Sequence, residues 1–139
     1  MENTAPRWLA WVSILFVVWN LFGIAAFIMQ WNLTAADIAK LPEAQRQMWA
    51  QMGGVTWAAY ATTVLSGTFA AVMLLFRKKL AVGAFLLNVA ALLLQFSNPL
   101  SFAYGAGEGQ MMVFPLFIIA VAIVELFLTR KWRKLGWLN

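Results

Sequence analysis

The chain has 139 residues, of which 63% are hydrophobic and 11% charged, with a net charge of +5. So few charges cannot cover the water-facing surface of a soluble domain, where roughly 25% would be usual, so the sequence reads as one integral membrane domain over residues 1–139. With no cysteine and no histidine it lacks disulfides, thiolate chemistry, the commonest general base and the commonest metal ligand.

The first apolar run, residues 8–31, holds 24 residues without a charge. At about 1.5 Å per residue it spans a hydrocarbon core of about 30 Å with some tilt. It is also longer than the apolar region of a cleaved signal peptide, so it reads as a retained first span. Pro6 suits its start. Residues 32–52 form the extended polar stretch. Thr34-Ala-Ala-Asp37 matches a capping box, and Pro42 can open a second short helix. Leu41, Ala44, Met48 and Met52 fall near one face, with Glu43, Arg46 and Gln47 on another. This is the pattern of an amphipathic, surface-lying segment; a solvated connector is the alternative.

Gly53-Gly54 breaks that pattern. The second span is expected over residues 55–76, closed by Arg77-Lys78-Lys79, and the third follows at once over residues 80–96. Residues 97–110, with Asn98-Pro99 and Gly105-Ala-Gly-Glu-Gly109, read as a loop. The fourth span covers residues 111–129, with Pro115 near its start, and a basic tail follows. The fold expected is all-α: a polytopic four-helix membrane bundle with an amphipathic extracytoplasmic segment between the first two spans.

Arg7, Arg77, Lys78, Lys79, Arg130, Lys131, Arg133 and Lys134 share one side of such a bundle, against Lys40 and Arg46 on the other. The positive-inside rule then places both termini in the cytoplasm. Trp8, Trp11, Trp132 and Trp137 would mark that interface; Trp31, Trp49, Trp57, Tyr60 and Tyr104 would mark the opposite one. The basic charge thus reports orientation, and nucleic acid is not an expected partner. A short internal echo links Ile24-Ala-Ala-Phe-Ile-Met-Gln-Trp31 to Val89-Ala-Ala-Leu-Leu-Leu-Gln-Phe96, as a duplicated helical hairpin would.

Each span carries one face of small or polar residues: Asn20, Gly23, Phe27 and Gln30; Tyr60, Thr63 and Gly67, with Ser66 beside them; Ala84, Asn88, Ala91 and Gln95; Pro115, Ile118, Ala122, Glu125 and Thr129. The plainer account is hydrogen bonding between helices, where small residues permit close approach. The functional account is a pocket around Asn20, Gln30, Tyr60, Thr63, Ser66, Asn88 and Gln95 that takes a small neutral solute. Amides both donate and accept, and the rings of Trp19, Trp57 and Tyr60 can stack on a sugar face. Glu125 is the one acid within a span. An ion pair with nearby basic residues is the simpler reading, and a proton-coupling carboxylate is the other. No paired acids, phosphate loop or metal-ligand set occurs, so neither an enzyme nor a cofactor is expected.

Trp19-Asn20-Leu-Phe-Gly23 with Met29-Gln30, Met48, Met52, Trp57-Ala-Ala-Tyr60-Ala61, Leu74-Leu-Phe-Arg-Lys-Lys79 and Gly136-Trp-Leu138 together resemble small bacterial four-helix membrane proteins labelled "sugar transporter" or hypothetical. The resemblance implies a multi-pass protein of the bacterial inner membrane and suggests a sugar-like solute. It departs at Gly53, Phe27, Leu80 and Asn88, where proline, tyrosine, tryptophan and serine are common. Small multidrug exporters differ in carrying a glutamate in their first helix, which this chain lacks. Two function classes follow: a small-solute carrier or binding protein, for which four spans imply a homo-oligomer, and a non-transporting scaffold that meets a partner or lipid.

Overall fold

In a computed structural model, residues 4–139 are described, and they contain six helices and no strand. These are α1 (Trp8–Trp31), α2 (Ala35–Ala39), α3 (Glu43–Ala50), α4 (Gly54–Leu75), α5 (Leu80–Gly105) and α6 (Gln110–Lys134). The four long ones, α1, α4, α5 and α6, are each long and apolar enough to cross a membrane. The fold is an all-α four-helix membrane bundle.

Lipid offers no hydrophobic drive for helices to associate, so close packing must come from small side chains. α4 and α5 supply them. Ala59, Gly67, Ala70 and Ala71 of α4, with Ala81, Ala84 and Ala91 of α5, are buried, and these two helices form the closely packed inner pair. In their most apolar windows 50% and 44% of the residues are buried, against 11% in both α1 and α6. α1 packs on α4, and α6 on α5. The outer surfaces carry large apolar side chains such as Leu15, Phe22, Leu65, Leu87, Leu94 and Phe127, as a lipid-facing surface requires.

The end of the bundle that carries both termini is closed. Leu9, Leu74, Phe85, Trp132 and Leu138 form its core. The Trp8 ring meets Trp132 and Trp137 edge-on at 6.0 and 5.7 Å, and Phe16 stacks on Trp132 at 6.3 Å. Residues 135–139 fold back onto the α4–α5 turn. The Asn139 amide N–H donates to the Arg77 carbonyl (2.7 Å), and the Lys79 N–H donates to the Asn139 carbonyl (2.8 Å).

Three spans stop in the same way. The N–H groups of Lys78, Glu108 and Trp137 each donate five residues back, to Met73, Ala103 and Trp132. The residue before each is left-handed: Arg77 (φ 56°), Gly107 (φ 71°) and Gly136 (φ 75°). This is the Schellman arrangement, which satisfies carbonyls a helix end would leave open. Arg77 adopts a conformation that usually favours glycine.

α1 has the expected bounds, and α4 differs by one residue at each end. The third span corrects the sequence reading. It continues through Asn98-Pro99 to Gly105 because a proline removes only one helical donor, and the left-handed stop comes at Gly107. The fourth span also runs on, to Lys134. Lys131, Arg133 and Lys134 in its last turn suit the negative end of the helix dipole.

Between the first two spans, α2 starts with the expected capping box. The Asp37 N–H donates to Thr34 Oγ1 (3.2 Å), and the Thr34 N–H donates to Asp37 Oδ2 (3.0 Å). α3 turns Glu43, Arg46 and Gln47 outward, with Arg46 paired to Glu43 and Gln47 Nε2 donating to Glu43 Oε1 at 2.8 Å. The Thr34 backbone N–H and then its hydroxyl hold the Asp37 carboxyl below its ordinary value of 3.8. The native cap therefore favours the ionised form. Its contribution is complete above the ordinary value and is lost as pH falls through the lowered one. Acidification past that point should reduce the helical Cα chemical shifts of residues 35–39. Thr34→Ala removes the hydroxyl but keeps the backbone N–H, so it should show reduced shifts already at neutral pH and a smaller further step on acidification.

Candidate functional site

Asn20 faces inward from the middle of α1. Its Nδ2 donates to the Phe16 carbonyl of its own helix (2.8 Å) and to Glu125 Oε2 of α6 (3.0 Å). Glu125 is 2% exposed. The hydroxyl of Thr129, one turn on, donates to the Glu125 backbone carbonyl (2.7 Å). Asn20 and Glu125 therefore join the first span to the last at a depth where lipid could satisfy neither. Glu125 makes no ion pair; among the described residues the one salt bridge is Arg46–Glu43.

On the inner pair, Asn88 Nδ2 of α5 donates to the Thr63 carbonyl of α4 (2.7 Å). The Thr63 hydroxyl donates to the Ala59 carbonyl (2.8 Å), and that of Ser66 donates to the Thr63 carbonyl (3.2 Å). Both asparagines lie against Gly67. A Cβ there would overlap Asn20 Oδ1 and come within 2.7 Å of Asn88 Nδ2. The missing side chain of Gly67 is thus the space in which the two amides sit.

Beyond this layer, away from the termini, the helices line a partly open cavity of about 310 Å³. Its wall comes from all four spans and from α3. Asn20, Thr63, Asn88 and Glu125 lie at one level. Thr56, Tyr60, Gln30 and Gln95 line the part nearer the α1–α2 end. Trp19, Phe96, Phe114 and Ile118 add apolar wall, Met48 and Trp49 come from α3, and Met52 from the turn after it. Tyr60 is fixed by an aromatic cluster: Trp57 stacks on it at 6.0 Å, and Phe27 meets it edge-on at 4.9 Å. Trp49 reaches the same cluster through Trp57 at 5.6 Å, which ties α3 to the bundle. Gln95 is 5% exposed, and its Oε1 is the one buried side-chain polar atom without a hydrogen bond among the described residues.

Six of the seven residues expected to form a site, Asn20, Gln30, Tyr60, Thr63, Asn88 and Gln95, line this one cavity. Ser66 does not; its hydroxyl is turned to its own helix. Trp19 lines the cavity as expected, while Trp57 stands behind Tyr60. Glu125, expected four residues before the end of the fourth span at 129, also joins the wall. α6 runs on to Lys134, so Glu125 stands nine residues before its end and not four. The α3 residues were also missed as lining, although Met48 and Met52 had been placed on one apolar face.

No protein-family model, curated protein or solved structure matches the chain. The site therefore rests on its own geometry.

Gly67→Ala should destabilise the bundle by about 1–3 kcal/mol, the usual cost of forcing a methyl into filled space. Reversible unfolding in detergent micelles measures it, with Gly83→Ala as control, because a Cβ at Gly83 meets nothing within 4 Å.

Proposed function

We propose that this integral membrane protein is a non-catalytic small-solute carrier or binding protein, with the cavity between its spans as the solute site. The observation that carries the reading is the convergence of Asn20, Gln30, Tyr60, Thr63, Asn88 and Gln95, from three spans, on one cavity of about 310 Å³. Helices that served only to pack on one another would leave no such space between their polar faces. Asn20 and Asn88 bond to other partners and leave space beside them.

The distribution of lysine and arginine supports a bacterial inner-membrane topology with both termini in the cytoplasm. The cavity then lies toward the outer face, and the aromatic-packed end with Trp132 and Leu138 is the cytoplasmic barrier. A carrier would have to open that end. Four spans are few for such a movement, so a homo-oligomer is part of the proposal. The resemblance to proteins labelled as sugar transporters, together with the amides, makes neutral sugar-like solutes the first class to test.

Uptake into proteoliposomes checks the reading, with a panel of radiolabelled sugars and small polar solutes. Wild-type protein should exceed empty vesicles for at least one solute. Asn20→Ala should lower that uptake severalfold, because it removes the amide that fixes Glu125. Equal uptake in wild-type, variant and empty vesicles across the panel, with no saturable binding to the purified protein, would rule the proposal out.

A further inference from the structure

The groups that face the cavity differ in what they still have to give. Asn20 Nδ2 is committed to the Phe16 carbonyl and Glu125, Asn88 Nδ2 to the Thr63 carbonyl, and the Thr63 hydroxyl to the Ala59 carbonyl. Among these donors only the second hydrogen of Asn88 Nδ2 is left without a partner. The acceptors have more capacity open. Gln95 Oε1 accepts nothing, and Glu125 accepts one side-chain hydrogen bond, from Asn20, where a carboxylate can accept about four. No lysine or arginine lies within ion-pair distance of Glu125, and no basic residue lines the cavity. A carboxyl group held in an apolar site is neutralised either by a proton or by a cation brought to it.

Resting on the reading of this cavity as a solute site, we propose that its solute is a small organic ammonium ion with an apolar body, its nitrogen seated at Glu125. The ammonium hydrogens supply the donors that the deep layer lacks. The body lies along the rings of Trp19, Phe96 and Phe114, whose faces also attract cations. Gln95 stands on α5 about 10 Å further along the helix than Asn88, seven residues on. A short ligand seated at Glu125 therefore does not need it. Beside Glu125 a neutral polyol meets mostly acceptors, because the donors still open to it, the hydroxyls of Thr56 and Tyr60 and the amide of Gln30, lie toward the α1–α2 end. That is why the charged class is favoured over the sugar-like one.

The test compares two probes of nearly the same shape, cyclohexylmethylammonium and cyclohexylmethanol, titrated calorimetrically into the full chain in lipid nanodiscs. Glucose and sorbitol serve as neutral polyols. The ammonium should bind on the order of tenfold or more tightly than the alcohol. Glu125→Gln keeps an acceptor for Asn20 and removes the charge. It should erase that preference while leaving the alcohol's affinity within about twofold. Ser66→Ala, outside the cavity, should change neither. If the two probes bind wild-type protein equally, or if Glu125→Gln retains the preference, the ammonium proposal is overturned. The same holds if only the polyols bind. In these cases the cavity still stands as a solute site. If no probe or polyol binds and no solute is taken up, both readings fall. Should Glu125→Gln not fold, the comparison of the two probes on wild-type protein decides by itself.

Discussion

The bundle depends on one requirement: polar atoms placed at the depth of lipid must find their partners inside the protein. The Asn20–Glu125 hydrogen bond is where this requirement reaches furthest. α1 and α6 are the outer helices, each seated on one member of the inner pair, and their backbones do not pack closely against each other. The bond links them across the bundle at 3.0 Å. Gly67 makes it feasible, because any side chain at that position would occupy the volume that Asn20 and Asn88 need. A small residue on α4 thus sets the position of an amide on α1, and that amide sets the position of a carboxyl group on α6.

The layer also divides the protein into two unlike halves. On the side of the termini, Phe16, Phe85, Trp8 and Trp132 fill the space with edge-on and stacked rings, and the returning chain at Leu138 and Asn139 closes it further. On the other side the helices are held apart. Pro115 contributes to the wall there and cannot donate a helical hydrogen bond, as Pro99 cannot. α3 and the turn after it lay Met48, Trp49 and Met52 over the space. Methionine adapts its shape easily and tryptophan offers a broad face, so this short helix can cover a cavity without filling it.

Much of this was legible in the sequence. Long uncharged runs, a capping box and clustered basic residues define the spans and their connections. The face occupied by Asn20 and Gln30, and that occupied by Asn88 and Gln95, follow from helical spacing alone. Two features were not legible, for separate reasons. Proline and glycine are read as breaks by composition, yet α5 runs through Pro99, since one lost donor does not outweigh a continuing apolar face. The place of Glu125 on the cavity wall depends on how α1 and α6 meet across the bundle, which the spacing along α6 alone does not show. The Gly67 position was legible as a small residue on a polar stripe. Its use as a seat for two amides from two other helices was not, because spacing along one chain does not show which neighbours converge.

Placing an acid in this layer has a physical consequence for the cavity. A carboxyl group 2% exposed among apolar side chains is costly to keep charged, and a lone amide donor compensates only in part. Had the position served packing alone, glutamine would bond Asn20 equally well without that cost, and an apolar residue of similar volume would avoid it altogether. Glu125 differs from both only in its ability to carry a negative charge and to release it to a proton or a cation. The surroundings keep that ability open. Asn20 holds the carboxyl group in place by one oxygen, Thr129 secures the backbone at the same residue, and no basic side chain is close enough to neutralise it permanently. A bundle arranged this way keeps a carboxyl group without an ion-pair partner beside its cavity.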